Sequence, residues 1–180
     1  MRPDSDEPIV VVDYDPIWPQ RFEQERRRVA EALGEAVAEI EHIGSTAVPG
    51  LAAKPIVDIL AGLRTLELPA AAMDAMGGLD YEFLGEYGLP GRLFFRKGRP
   101  RSHHVHAVLL GSDLWERHVA FRDYLRAHPA ETDAYAQFKL QLVRDVGGDR
   151  DGYVDGKEAY AGALEQRARS WRGAPGSVGT

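Results

Sequence analysis

The chain has 180 residues, 44% hydrophobic and 28% charged, which suits one globular domain with a real core. With 28 acids against 22 bases its net charge is −6, which excludes a general nucleic-acid surface but not a local basic pocket. The absence of cysteine excludes disulfides, thiol catalysis and cysteine-based zinc sites.

In chain order, Met1 to Pro8 is polar and without the apolar core of a signal peptide. No later apolar run approaches the ~20 residues of a membrane span. A cytoplasmic protein without membrane contact is therefore expected, with residues 1–8 and 172–180 as disordered tails around one domain at 9–171. Ile9 to Val12 is a short β-prone run. Asp15-Pro16 reads as an N-cap with proline at the first helical position. Trp18, Phe22, Val29 and Leu33 then mark an amphipathic helix that ends near Gly34. Strands are expected at Val37 to Ile43 and Lys54 to Leu60, with a short helix at Val48 to Ala53 between them. Pro69 to Met76 reads as a helix closed by Gly77-Gly78. Tyr81 to Leu84, Arg92 to Lys97 and His103 to Leu110 read as strands. Helices follow from Ser112, from Pro129 to Gly147-Gly148, and around Tyr160, Leu164, Ala168 and Trp171. This order predicts an α+β domain with a mixed or antiparallel sheet and a helical C-terminal half.

Five groups of residues are able to carry chemistry. Strand alternation places Lys54, Ile56, Asp58 and Leu60 on one face. Asp58 is then either half of a structural ion pair with Lys54 or a metal-binding or orienting carboxylate beside a phosphate-binding lysine. Gly44-Ser45-Thr46 follows a strand directly; Ser45 or Thr46 caps the short helix, or the turn's N–H groups hold a phosphate. His104 and His106, at i and i+2, share a solvated face or a metal, or one of them works as acid or base. Arg92, Arg96, Lys97, Arg99 and Arg101 serve solubility on an exposed hairpin, or their cations neutralise a polyanion. Arg122, Lys139 and Lys157 stand near Tyr124, Tyr135 and Tyr160 and read as helix-surface cations or as cleft residues. No Walker loop, dinucleotide-binding fingerprint or Gly-x-Ser-x-Gly elbow is present.

The run His42-Ile43-Gly44-Ser45-Thr46-Ala47-Val48-Pro49-Gly50-Leu51-Ala52-Ala53-Lys54-Pro55-Ile56-Val57-Asp58-Ile59 closely resembles the signature of the GrpB family. The likeness extends to Tyr14-Asp15-Pro16-Ile17-Trp18-Pro19 with Phe22, to His104-Val105-His106, to Phe121 through Arg126 with Pro129, and to Tyr135 with Lys139. It covers about residues 9 to 170. The resemblance implies a nucleotidyltransferase-like fold of the polymerase-β type. In that superfamily a Gly-Ser turn holds nucleotide phosphates, an Asp-x-Asp strand binds Mg²⁺, and a third acid comes from a later strand. By position, Gly44 and Ser45 match the turn and Asp58 the first acid. The second acid's place falls at Leu60, and the third at His106 or His104. One carboxylate with imidazole suits Mn²⁺ or Zn²⁺ better than Mg²⁺.

The function so implied is metal-dependent nucleotidyl transfer. Asp58 and His106 are its catalytic residues, and Asp58, His104 and His106 the ligands of a divalent ion (Mg, Mn or Zn). Gly44, Ser45, Thr46, Lys54, Arg92, Arg96 and Lys139 bind the nucleotide phosphates. Some relatives occur fused to dephospho-CoA kinase, which points to a nucleotide or a CoA-type small molecule as partner. Leu60 keeps open a non-catalytic binding module, and the histidines a metal hydrolase. No residue pattern fixes an oligomeric state.

Overall fold

A computed structural model of the chain describes residues 9–147 and 149–173. The expected tails lie outside the described residues, except Arg172 and Gly173, which finish the last helix.

Five strands form one mixed sheet: β1 (Val37–Ile43), β2 (Val57–Leu63), β3 (Tyr81–Phe83), β4 (Arg92–Lys97) and β5 (His103–Leu109). Their spatial order is β1-β2-β5-β4-β3. The β2–β5 pair is parallel and the other three pairs are antiparallel. Alternation sends Val57, Ile59, Ala61 and Leu63 of β2, with Val105 and Ala107 of β5, into one apolar core. There they meet α1 (Trp18–Leu33) and α2 (Ala70–Gly78), through Trp18, Phe22, Val29, Leu33 and Met76. The opposite face carries Asp58 and Leu60 of β2 and His104, His106 and Val108 of β5. It is covered by α3 (Asp113–Ala127), α4 (Pro129–Val146) and α5 (Arg150–Arg172). The result is a mixed α+β fold with helices on both faces and three of them at the C-terminal end.

Local departures have local causes. Asp15-Pro16 forms a turn rather than the helix start. The Asp15 carboxylate accepts from the Ile17 N–H at 3.0 Å, and α1 opens at Trp18 with Pro19 in its first turn. Of the run Ile9 to Val12, only Val12 pairs, with Ala53. No helix forms at Val48 to Ala53, because Pro49-Gly50 turns there with Gly50 at φ 82°. Val48, Leu51 and Ala52 instead insert into the helical half beside Tyr124, Leu125, Tyr135 and Leu164. Lys54 stays off the sheet, since β2 begins only at Val57, past Pro55, which has no N–H for a ladder. The last helix begins ten residues before Tyr160, at Arg150, where the Asp149 carboxylate accepts from the Asp151 N–H at 3.1 Å. Among the described residues no helix is long and apolar enough to cross a membrane.

Candidate functional site

The parallel β2–β5 register sets Asp58 opposite His104 and Leu60 opposite His106. All four side chains leave the sheet on the α3–α5 side. Leu60 is sealed at 0% exposure beneath Trp115 and Val119 of α3. Asp58, nearer the strand start, escapes that cover and floors a cleft of about 290 Å³.

Both imidazoles reach one oxygen: His104 Nδ1 and His106 Nε2 each lie 3.2 Å from Asp58 Oδ1. One ligand atom from each residue lies within 4.8 Å of the others. Burial raises the Asp58 carboxyl, but hydrogen bonds from both histidines outweigh it and hold the group well below the usual carboxylate range. Burial also lowers His106, against the pull of Asp58. His118 of α3 stands behind, its ring 5.3 Å from that of His106. Burial, with the charge of His106, takes it down to about 3.

Gly44 closes β1 with φ 71° and ψ −170°, a conformation essentially reserved for glycine. A Cβ there would sit 2.7 Å from Asp58 Oδ2, so the turn lies directly against the carboxylate. Ser45 to Ala47 follow as one 3₁₀ turn, and neither hydroxyl caps a helix. Thr46 Oγ1 instead lies 3.0 Å from His42 Nε2, beneath the stacked ring of Phe22. Ser45 Oγ accepts from Lys139 Nζ at 2.9 Å. Lys139 crosses from α4, is 2% exposed, and rests 4.4 Å from the Tyr135 ring centroid. Burial, with Lys157 nearby, lowers its amine to about 7. Lys54, Lys157, Phe121, Tyr153 and Glu165 complete the walls.

Gly44, Ser45, Thr46, Lys54, Asp58, His104, His106 and Lys139 therefore line one cleft. The basic hairpin does not assemble around it. Arg96 turns to Glu82 at 2.8 Å, and Lys97, on the opposite sheet face, to Glu25 at 2.7 Å. Arg92 stacks on Phe94 and donates to the Glu86 and Tyr87 carbonyls, which leaves it beside the cleft with Nη1 3.3 Å from His106 Nδ1. Nothing in the sequence pattern marks Tyr153, Glu165 or His118 as a cleft residue. All three sit on helix faces whose direction periodicity does not give.

The donor set of one carboxylate and two imidazoles has the number and type that a divalent transition ion takes. Its contacts ask for one change. If His106 Nε2 binds a metal, its proton moves to Nδ1, where the Arg92 guanidinium also donates. Arg92 must then swing off the ring.

A family model described as "GrpB protein" matches residues 8–167. UPF0157 protein PA4798 of Pseudomonas aeruginosa is 40% identical over 91% of this chain and 69% of its own length. UPF0157 protein YqkA of Bacillus subtilis is 37% identical over 91% of this chain, which spans 48% of that protein. A dephospho-CoA kinase of Mycolicibacterium paratuberculosis is 28% identical across 94% of this chain and 48% of its own. The crystal structure of conserved protein GrpB from Enterococcus faecalis superposes with a TM-score of 0.82 at 38% identity, covering 90% of this chain and 99% of that one. Sequence and fold agree, and the chain belongs to the GrpB family.

Proposed function

We propose that the cleft binds the phosphates of a nucleoside triphosphate beside a divalent cation and transfers the nucleotidyl group to an acceptor. One observation carries this reading: Asp58, His104 and His106 converge within 4.8 Å at the floor of a cleft that the Gly44–Ser45 turn and Lys139 also line. The turn supplies N–H groups for phosphate oxygens. Lys54 and Lys157 supply positive charge on the cleft wall, and Lys139 adds an N–H donor beside the turn. Asp58, His104 and His106 would hold Mn²⁺ or Zn²⁺ more readily than Mg²⁺. A bound cation there offsets the charge that builds on phosphate oxygens as the bond to the leaving group lengthens. The aromatic wall of Phe121, Tyr135 and Tyr153 offers a dry surface for the remainder of the ligand.

Pyrophosphate release from each of the four nucleoside triphosphates, measured with Mn²⁺, Zn²⁺ or Mg²⁺, tests the transfer. Release with at least one of them, abolished by Asp58→Asn, is expected. Release that survives Asp58→Asn removes this residue from the mechanism.

A second reading has its own support. Leu60 occupies the second acid's place and is packed into the core, and Arg92 contacts the ring that a metal would need. On this reading the cleft binds a nucleotide or a CoA-type molecule without transferring it. The relative named dephospho-CoA kinase fits this view. It predicts metal-independent binding and no pyrophosphate.

A further inference from the structure

We propose that Ser45 is a nucleophile and Lys139 its general base, so that transfer in this cleft passes through a phosphoester on Ser45. This goes one step beyond the phosphate-binding reading above and rests on it.

The geometry is direct. Lys139 Nζ lies 2.9 Å from Ser45 Oγ, the separation of a nucleophile from its base. Ser45 sits just past β1, on a sharp strand-to-3₁₀ turn set by Gly44 at φ 71°, and its hydroxyl caps no helix. Lys139 is buried, among the described residues no carboxylate forms a salt bridge with it, and it lies over the Tyr135 ring. A buried cation without an acid is unfavourable, so the neutral amine gains. Burial and Lys157 bring it to about 7, which leaves a lone pair available near neutral pH. A lysine that served only to hold phosphate would do so best at its ordinary, fully charged value. Lys54 and Lys157 remain on the cleft wall to carry the anion's charge. Serine with lysine is an established variant of nucleophile and base on unrelated folds.

In the first step Lys139 Nζ takes the Ser45 hydroxyl proton as Oγ bonds to the α-phosphorus. The P–O bond to pyrophosphate breaks, its electron pair leaves with pyrophosphate, and Lys139 passes the proton to solvent. In the second step the acceptor hydroxyl bonds to the same phosphorus. Lys139 takes its proton and delivers it to Ser45 Oγ as that oxygen departs.

A fluorophosphonate, which phosphorylates activated serines and needs no nucleotide, tests the pair on the full chain by intact-protein and peptide mass spectrometry. One adduct at Ser45 is expected, forming about 100-fold faster than at any other serine. Its rate should climb about tenfold per pH unit up to about 7 and level above, following Lys139. Of the charged and titratable groups that line the cleft with it (Lys54, Asp58, Tyr135, Tyr153, Lys157 and Glu165), Lys157 acts with burial to set where the profile levels. Ser45→Ala should remove the adduct, and Lys139→Met and Lys139→Arg should each slow it about 100-fold. If a Lys139 variant does not fold, the wild-type pH profile decides. No adduct at Ser45, a flat profile, or unchanged labelling in folded Lys139→Met overturns the proposal. Triphosphate binding without a Ser45 adduct overturns the nucleophile alone. An adduct without triphosphate binding overturns the phosphate reading and keeps the nucleophile.

Discussion

Gly44 joins the two halves of the cleft at a single residue. Its backbone occupies a conformation that side chains rarely adopt, and its missing Cβ makes room for Asp58 Oδ2. Gly44→Ala meets both obstacles. It should lower the unfolding free energy by about 3 kcal/mol, read from urea denaturation. Loss of less than about 1 kcal/mol would show that the turn relaxes. Arg92 argues in the opposite direction, because its contact with His106 Nδ1 opposes metal ligation at Nε2. Arg92→Met should tighten Mn²⁺ or Zn²⁺ binding about tenfold by calorimetry, one hydrogen bond's worth. Unchanged affinity would mean that His106 does not ligate through Nε2. His42 links the turn to stability. Burial first, aided by Arg126 and Arg122 and opposed by Asp58, lowers it from 6.5 to about 4. The unfolded chain therefore binds a proton that the folded chain refuses between those values. The His42 contribution is complete above about pH 6.5 and lost as pH falls to about 4, a change on the order of 3 kcal/mol. His118 adds a loss of the same sign, extending to about 3. His42→Gln should flatten the stability curve across that window, and an unchanged slope would contradict the assignment.

At the scale of elements, β2 shows how one strand face serves two purposes. Asp58 and Leu60 point the same way, but α3 covers Leu60 and leaves Asp58 open. The missing second acid is therefore not restored by one substitution. Leu60→Asp should destabilise the fold by about 3 kcal/mol or more and yield no gain in metal affinity, since the new carboxylate would be sealed among Trp115, Val119 and Val108. A stable Leu60→Asp protein with tighter metal binding would show that α3 yields. The alternation in β2 and β5 was legible in sequence, as were the caps and turns that bound β1, α3 and α4. The Ser112 cap accepts from the Trp115 N–H at 3.3 Å. The first turns of α5 were not, because Gly152 and Gly156 argue against helix by propensity. Packing decides there: a Cβ at Gly156 would lie 3.0 Å from the Leu142 side chain, so glycine lets α5 approach α4 closely. Tyr153 lies on that stretch, so its place in the cleft was hidden with it. The basic hairpin misled for a related reason. Charge counts along a strand do not say which face each cation takes; Glu82, directly across on β3, takes Arg96, and Glu25, remote in sequence on α1, takes Lys97.

Over the whole molecule, the cleft lies between two layers that the chain builds separately. The sheet supplies the carboxylate and both imidazoles, with the Gly44–Ser45 turn at the end of β1; α4 and α5 supply Lys139, Lys157, Tyr135 and Tyr153, α3 supplies Phe121, and the loop before β2 supplies Lys54. Immediately after the turn, Val48, Leu51 and Ala52 enter the helical core, while the next residue, Ala53, enters the sheet's core. A ligand that spans the cleft contacts both layers and stabilises the folded state by mass action. The most direct test is the thermal unfolding midpoint of the wild type and of Asp58→Asn, with each nucleoside triphosphate and with or without Mn²⁺. At about 100 times the dissociation constant, a binding triphosphate adds about 2.7 kcal/mol, a rise of roughly 5 to 10 °C for a chain of this size. Such a rise is expected for at least one triphosphate, dependent on Mn²⁺ and lost in Asp58→Asn. No rise with any triphosphate, or an equal rise without metal and in Asp58→Asn, would contradict it.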